Sequence, residues 1–392
     1  MMALRFVTAG ESHGPALTAI LEGMPAGLAL APAELAIELQ RRQTGSGTGD
    51  RLAKGIENDA PQIMAGVMNG VTTGAPIAMQ IVNRDHQNWK GRSVTAYAVP
   101  RPGHADLAAA IKYGYDDFRY SLERASARET AARVAVGGVC RKLLSTFGIS
   151  VGGYVASIGG VNGAFEHLSF EERVAAARSS MTGCPDPEAS QKIDEAIDEA
   201  RAAGDTLGGV LEVMVVGLPV GLGSFATWEQ RLDSRLAAAV MGLPAQKAFE
   251  IGEALSNTER KGTKAHDQIR LDGSHITRTS NRSGGLEGGI TNGLPLVVRS
   301  YMKPISTTLT SQKSVNIPNN TNADTVYERS DICPVPRAVV IIEAAVCYVL
   351  AGALLEKLGG DSIEEMRPRF DALRKLDVNE LNISAEDKVF WP

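Results

Sequence analysis

Two histidines stand in short, glycine-flanked segments that could hold an imidazole in a fixed position. His13 lies in GESHG at residues 10–14, and His104 lies in PRPGHAD at residues 100–106, where two prolines stiffen the backbone. A carboxylate, Asp331, follows in the segment RSD. Imidazoles and carboxylates can exchange protons near neutral pH, so these residues are candidates for general acid–base catalysis. A single histidine beside a glycine turn is more often structural, and the prediction therefore depends on the groups around it.

The candidate anion-binding groups are arginines, and the densest set is in residues 122–138, LERASARETAARVAVGG. Its alanine content and lack of proline predict a helix. Small residues beside guanidinium groups such as Arg124 and Arg128 would let a flat ligand approach while the planar forks bind its anionic groups. The competing interpretation is an ordinary packed helix in which Glu129 pairs with Arg133. Further candidate arginines in loops or at helix ends are Arg42, Arg51, Arg101 and Arg329.

Composition limits the class of protein and of ligand. The chain has 392 residues, 44% of them hydrophobic, and a formal net charge of -5, which argues against non-specific nucleic-acid binding. Four cysteines form no CxxC pair and six histidines have no metal-ligand spacing, so no metal site is predicted. The N-terminus lacks the apolar core of a signal peptide, and the apolar segment 338–355 is broken by Glu343, which indicates a buried helix rather than a membrane span. We expect a cytoplasmic protein.

The elements that must position these groups are strands in adjacent pairs, alternating with amphipathic helices. This pattern predicts antiparallel sheets packed on helices, an α+β fold, in one unit spanning residues 1–392. LEGMPAGL at 21–28 recurs as VVGLPVGL at 215–222, and TTGAPI at 72–77 recurs as TNGLPL at 291–296. These echoes suggest an internal duplication with halves at about 1–150 and 205–360, followed by a surface helix and tail at 360–392. Chance similarity of glycine–proline turns is the alternative.

Common nucleotide and hydrolase motifs do not account for the site. No Gly-Lys-Ser/Thr sequence is present, so a P-loop is excluded. The segment GSGTGD at 45–50 has an aspartate in place of the third glycine of a dinucleotide fingerprint and follows a helix. GxSxG occurs as GESHG at 10–14 and as GISVG at 148–152, but GESHG lies between two predicted strands and GISVG follows a predicted helix. A serine nucleophile elbow joins a strand to a helix, so neither segment supports one.

The sequence resembles the chorismate synthases. The resemblance rests on GESHGPALTAILEG at 10–23, ERASARETAARVAVGG at 123–138 and RSDICPVPRAVVIIE at 329–343, supported by RPGHAD, GDTLGG, GLPVGLGS, GGLEGGITNG and MKPIST. It implies a β-α-β sandwich of antiparallel sheets and long helices, and a homotetramer. It also implies a carbon–oxygen lyase that converts 5-enolpyruvylshikimate 3-phosphate to chorismate and phosphate by 1,4-anti elimination, the last step of the shikimate pathway toward aromatic amino acids. The family requires reduced FMN although the reaction has no net redox change.

The resemblance also implies roles for individual residues. His104 would protonate the departing phosphate, His13 would donate a proton near the reduced flavin, and Asp331 would assist removal of the ring proton. The implied substrate-binding residues are Arg42, Arg51, Arg101, Arg128 and Arg329. The implied FMN-binding residues are Arg124, Ala125, Ser126, Pro244, Ala245, Gly288, Lys303, Pro304, Ile305, Ser306, Thr307 and Arg329.

Two departures and two alternatives remain. Thr48 stands where many members of the family have an arginine. The resemblance implies that the loop containing Thr48, together with Arg42, is related to NADP binding. Pro244 stands where an amide residue is common in the family. No added reductase domain is evident, so we expect a separate enzyme to reduce the flavin and NADPH to act indirectly. A flavin-dependent reductase could use the same arginines but would oxidise flavin at each turnover. A non-catalytic binding module for a phosphorylated metabolite would not need His13 or His104.

Overall fold

The computed structural model describes residues 4–48, 59–328 and 330–391. Its α-helices are α1 (Pro32–Arg42), α2 (His86–Trp89), α3 (Asp106–Tyr113), α4 (Arg119–Arg124), α5 (Thr130–Thr146), α6 (Phe170–Ser179), α7 (Pro187–Ala203), α8 (Leu232–Met241), α9 (Ala254–Thr258), α10 (Gly262–Ala265), α11 (Val335–Leu358) and α12 (Ile363–Asp371). Short 3-10 turns occur at Ala127–Glu129, Trp228–Gln230 and Val378–Glu380.

The strands form two main antiparallel sheets and several two-stranded hairpins. They are β1 (Arg5–Ala9), β2 (Ala16–Glu22), β3 (Pro61–Ala65), β4 (Val67–Met68), β5 (Val71–Thr72), β6 (Ile77–Val82), β7 (Ser150–Ile158), β8 (Val161–Asn162), β9 (Gly209–Val216), β10 (Gln246–Ile251), β11 (Ile269–Asp272), β12 (His275–Arg278), β13 (Leu286–Glu287), β14 (Ile290–Thr291), β15 (Leu296–Met302), β16 (Lys313–Asn316) and β17 (Thr321–Asp324). The first sheet has the order β1-β2-β6-β3, and the second has the order β10-β15-β9-β7-β8.

Each sheet buries one face because its side chains alternate with a period of two residues. In β2 the side chains of Leu17, Ala19 and Leu21 point inward, while Thr18 and Ile20 lie on the opposite face. β2 and β6 pair in a continuous register from Ala16 to Leu21, so their apolar faces coincide. The sheets thereby present apolar surfaces toward the helices.

Two long helices, α5 and α11, pack between the sheets. α5 contacts β2 and β6 of the first sheet, and α11 contacts β7 and β9 of the second. Helix α11 is long and apolar enough to span a membrane by composition, but 83% of its most apolar window is buried inside the protein. It is a core helix, as predicted, and the expected α+β sandwich of antiparallel sheets and long helices is confirmed.

The helix predicted over residues 122–138 is not continuous, and this expectation is wrong. Helix α4 ends at Arg124, and α5 begins at Thr130 after a 3-10 turn. Ser126 interrupts the helix because its backbone is extended and its hydroxyl accepts a hydrogen bond from the Arg128 N–H at 3.3 Å. The predicted Glu129–Arg133 pair is present, with 2.9 Å between the Arg133 Nε and a Glu129 oxygen. The break places residues 125 and 126 in a bend, directly before the 3-10 turn, instead of on a helix face.

Candidate functional site

A cleft of about 750 Å³ brings together most of the residues predicted from sequence. It lies where the turn before β2, the loop after α2, the bend between α4 and α5, and the loop after β15 meet. The predicted residues that line it are His13, Arg101, His104, Ala125, Ser126, Pro244, Ala245, Lys303, Ile305, Ser306 and Thr307. The two imidazoles therefore share one cavity with cationic side chains.

His13 is held on three sides. The two carboxylate oxygens of Glu123 lie 2.8 Å from its backbone nitrogen and 2.6 Å from its ring Nδ1. The indole of Trp89 packs on the imidazole with 4.0 Å between ring centroids, and Nδ1 of His86 lies 2.9 Å from the His13 carbonyl oxygen. Burial opposes ionisation of Glu123, but the hydrogen bonds from His13 outweigh it and lower the pKa of this carboxyl.

His104 is held by a second carboxylate, Asp106. Oδ1 of Asp106 lies 2.6 Å from Nδ1 of His104, and the same carboxylate accepts from Arg101 through Nε at 2.8 Å and Nη2 at 3.0 Å. Arg101 Nη2 lies 3.0 Å from Nδ1 and 3.3 Å from Nε2 of His104, so the guanidinium packs directly against the imidazole. Burial alone would raise the pKa of Asp106, but its hydrogen bonds with His104 and Arg101 hold that pKa well below the usual range.

The opposite wall carries Lys303 and a strained alanine. Nζ of Lys303 lies 3.1 Å from the Ser306 hydroxyl, which donates to the Gly103 carbonyl at 2.8 Å and so ties this loop to the His104 loop. Burial, assisted by Lys247, lowers the pKa of Lys303. Ala245 has a left-handed backbone with φ +65°, and its carbonyl accepts from the Lys303 N–H at 3.0 Å. Such strain in a non-glycine residue is frequent at ligand-binding sites.

Arg42 and Arg128 lie behind the cleft wall and meet at one buried carboxylate. Nη1 of Arg128 is 2.6 Å from Asp59, and Nη1 of Arg42 is 3.6 Å from it. Arg42 also donates to the Ala127 carbonyl at 2.9 Å and to the Thr130 hydroxyl at 3.0 Å. Ala127 lines the cleft, so both arginines support its wall from inside the protein.

Other predicted residues lie outside the lining of this cleft, as far as the described chain shows. Arg124 is half exposed, Gly288 sits in the turn between β13 and β14, and the Thr48 hydroxyl donates to the Gly45 carbonyl. The Asp331 carboxylate accepts from Arg337, and its neighbour Ser330 lines the cleft. Pro304 lies between two lining residues. Arg51 and Arg329 fall outside the described residues.

Several residues of the site were not predicted from sequence, and five of them bear on its chemistry. They are Ser12, Trp89 and Arg92, which line the cleft, and Asp106 and Glu123, which hold the histidines. The spacing of Asp106 two residues after His104 was a visible signal. Glu123 had none, because 110 residues separate it from His13 and only the fold brings them together.

The sequence of this chain is similar to those of chorismate synthases. The family model described as chorismate synthase matches residues 4–355. Chorismate synthase of Desulforamulus reducens is 50% identical over 382 residues, covering 94% of this chain and 97% of that protein. The enzyme of Trichlorobacter lovleyi is 48% identical over 385 residues, with 94% and 98% covered.

A solved structure gives the same result at the level of the fold. A crystal structure of chorismate synthase superposes with a TM-score of 0.77 at 42% identity, covering 95% of this chain and 97% of that one. The match thus extends over both sheets and both long helices. The chain belongs to the chorismate synthase family, lyases of the shikimate pathway.

Proposed function

We propose that this chain converts 5-enolpyruvylshikimate 3-phosphate to chorismate and phosphate by 1,4-anti elimination in the 750 Å³ cleft. The observation that carries the proposal is the pair of histidines in one cavity, each with a carboxylate at Nδ1. The reaction breaks one C–H bond and one C–O bond and forms a C=C bond, with phosphate as the leaving group. It therefore needs positioned proton donors and acceptors and a site for several negative charges.

Cationic residues of the cleft would bind the anionic groups of the substrate. Arg101, Arg92 and Lys303 line it, and all three can donate hydrogen bonds to phosphate or carboxylate oxygens. For Arg42 and Arg128 we propose support of the wall at Ala127, close to the bound substrate. Arg51 and Arg329 are kept as proposed substrate ligands because of the resemblance described above.

The residues of the cleft fit a bound flavin. Ala125, Ser126 and Ala245 give its walls little side-chain bulk, so a flat ring system can lie against the backbone. The cavity falls in the upper part of the range of about 300–1,000 Å³ typical of ligand pockets, which suits a cofactor and a substrate together. Reduced FMN held there would supply an electron-rich ring to the elimination, with no net change in its oxidation state. The proposed contacts are Arg124, Ala125, Ser126, Pro244, Ala245, Gly288, Lys303, Pro304, Ile305, Ser306, Thr307 and Arg329.

The positions of the imidazoles are compatible with the proton roles that the family resemblance implies. His104 is packed against Arg101, an anion-binding candidate, and would protonate the departing phosphate. His13, on the side of Ser12 and Trp89, would donate a proton near the reduced ring. Asp331, next to the cleft residue Ser330, would assist removal of the ring proton.

An anaerobic assay with reduced FMN and the purified substrate tests the proposal. We expect one phosphate for each chorismate and no net oxidation of FMN. His13→Ala or His104→Ala should lower kcat by about 100-fold or more, because general acid–base catalysis contributes about 10²–10⁴-fold. The matched control is His167→Ala, an exposed histidine that should leave kcat near the wild-type value.

Two results would contradict this function. Stoichiometric oxidation of the flavin would identify a flavin-dependent reductase instead, and binding of the substrate without any turnover would identify a binding module. A His104→Ala variant with wild-type kcat would remove its proposed role. An Asp331→Asn variant with wild-type kcat would likewise remove the proposed role of Asp331.

We also propose a cytoplasmic homotetramer whose flavin is reduced by a separate enzyme. The four cysteines are buried free thiols, which agrees with a reducing compartment. NADPH would act only through that reductase, so NADPH alone should not support turnover. Addition of a flavin reductase with NADPH and FMN should replace chemical reduction in the assay.

A further inference from the structure

We infer that Asp106 is the positioning residue of this site, and that it sets which nitrogen of His104 delivers the proton. Asp106 has no exposed surface and does not line the cleft, so it can act only through its neighbours. Those neighbours are two of the residues for which we propose direct roles, Arg101 and His104. The inference therefore rests on the proposed elimination.

The two oxygens of Asp106 have different partners. Oδ2 accepts from Nε of Arg101 at 2.8 Å and from the Arg101 backbone N–H at 3.1 Å. Oδ1 accepts from Nη2 of Arg101 at 3.0 Å and lies 2.6 Å from Nδ1 of His104. The Ser121 hydroxyl, 3.4 Å from Oδ1, closes the remaining side. One buried carboxylate thus orients both an anion-binding group and a proton donor.

The chemistry of these groups determines the tautomer of His104. An ionised carboxylate only accepts hydrogen bonds, and the surroundings of Asp106 hold its pKa well below the usual range, so it stays ionised at neutral pH. His104 therefore carries a proton on Nδ1 and donates it in a hydrogen bond to Asp106. Arg101 Nη2 lies 3.3 Å from Nε2 but can only donate, so it does not take a proton from this nitrogen. Nε2 is therefore the nitrogen that gives a proton to the substrate.

Asp106→Asn should reverse this arrangement. Arg101 can only donate, so the amide oxygen should take the place of Oδ2, where Arg101 supplies two N–H groups. The amide NH₂ then faces Nδ1 of His104, which must accept. An imidazolium carries a proton on Nδ1 and cannot accept a hydrogen bond there. A neutral ring can accept at Nδ1 only when its single proton is on Nε2. The variant therefore disfavours the imidazolium form of His104, which is the form that acts as the acid.

Nitrogen-15 NMR of histidine-labelled enzyme measures this directly. We expect the His104 signals of the wild-type protein to show a protonated Nδ1, and those of Asp106→Asn to show an unprotonated Nδ1. The value of kcat should fall by about 100-fold or more with the proton donor disabled. Asp117→Asn is the matched control, because Asp117 accepts only backbone N–H groups of Tyr97 and Arg119 among the described residues and should change neither measurement.

A double-mutant cycle separates positioning from a merely structural role. If Asp106 acts through His104, adding Asp106→Asn to His104→Ala should cost less than tenfold more in kcat. The proton donor that Asp106 orients is already gone, and the amide oxygen of the asparagine can still accept from Arg101. A structural role predicts that the two losses multiply. Asp106→Glu keeps the carboxylate and should keep the Nδ1–H tautomer, so it carries the test if Asp106→Asn does not fold.

The outcomes distinguish this inference from the proposed function. Wild-type enzyme without chorismate production would contradict the elimination itself. An active wild type in which Asp106→Asn keeps the Nδ1–H tautomer and its kcat, or in which the two losses multiply, would overturn only the role of Asp106. The role of Asp106 would also be overturned if the His104 ring of the Asp106→Glu variant carried its proton on Nε2 and not on Nδ1.

Discussion

Glu343 lies in the middle of helix α11 with no exposed surface, and its charge is matched by groups from three other elements. Arg41 donates to it at 2.7 and 2.9 Å, Arg141 at 2.5 Å, and the Gly153 N–H at 2.6 Å. Burial opposes the ionised form, but Arg41 and Arg141 outweigh it and lower the pKa of Glu343 to about 2. At the residue scale, this carboxylate joins α1, α5, α11 and β7.

We predict that Glu343→Gln destabilises the protein by about 3–5 kcal/mol, the cost of breaking a buried ion pair from one side. Because the pKa of Glu343 is lower in the folded protein than its ordinary value of 4.5, its contribution is fully present above about pH 4.5 and is lost as the pH falls toward 2. The unfolding free energy of the variant should therefore depend less on pH in this window. Urea unfolding at several pH values measures both effects.

The same helix provides a control for this prediction. Glu356 is exposed and pairs with Arg235 at 2.6 Å, so Glu356→Gln should cost no more than about 1 kcal/mol. Equal losses for the two variants would show that the buried network does not hold the helices together.

At the element scale, the packing of α5 on α11 depends on glycine. A Cβ built on Gly137 would lie 2.2 Å from Cβ and 2.4 Å from Cα of Ala344, whose backbone cannot move without shifting α11. Gly138, the next residue, would meet only the end of the Leu35 side chain at 2.8 Å. The absence of one side chain therefore sets how closely the two long helices approach.

Gly137→Ala should destabilise the protein by about 1–3 kcal/mol, because the steric overlap exceeds the gain in helix propensity of about 1 kcal/mol. Gly138→Ala gains the same propensity and displaces only a flexible side-chain end, so its effect on the unfolding free energy should be smaller. Thermal unfolding of the two variants compares them. A Gly137→Ala protein more stable than Gly138→Ala would contradict this account of the helix crossing.

At the scale of the whole molecule, the two halves have the same order of elements, and we propose that the chain arose by duplication. The first sheet runs β1-β2-β6-β3, and the second contains β7-β9-β15-β10 in the corresponding order. In each half a helix follows the second strand, a short hairpin precedes the central strand, and a long core helix ends the unit. In this correspondence the second half includes β7 and so begins near residue 150, earlier than the start at about 205 predicted from the sequence echoes. The halves at about 1–150 and 205–360 stay a prediction.

The sequence echoes form the same hydrogen-bonded corner in each half. Leu28 N–H donates to the Thr72 hydroxyl at 3.0 Å, and Leu222 N–H donates to the Thr291 hydroxyl at 2.8 Å. Each hydroxyl in turn donates to a proline carbonyl, that of Pro25 in the first half and of Pro219 in the second. The recurring sequence segments thus form the same hydrogen-bonded corner in both halves.

Thr72→Val and Thr291→Val should each destabilise the protein by about 2 kcal/mol, since each removes the hydroxyl partner of a buried N–H and of a proline carbonyl. Thr72→Ser and Thr291→Ser keep the hydroxyl and serve as controls. Chemical denaturation gives the four free energies of unfolding. A neutral Thr72→Val beside a costly Thr291→Val would show that the corners are not equivalent.

Sequence patterns predicted those features of the protein that depend on residues close together in the chain. The apolar run of α11, which indicated a buried helix, and the pair formed by Glu129 and Arg133 four residues later both depend on neighbours within a few residues. The position of His104 between glycine and alanine in a proline-stiffened loop belongs to the same class. The motifs that carry the family resemblance were likewise visible in the chain.

Only the tertiary structure decided how charges are paired across the chain. A buried carboxylate needs cations or hydrogen-bond donors around it, and the partners of Glu123, Asp59 and Glu343 come from residues far away in sequence. The break of the arginine segment at Ser126 has the same origin, because the Ser126 hydroxyl also donates to Ser12 at 3.1 Å, across the cleft wall. Helix propensity is a local quantity, and here a contact between distant segments outweighed it.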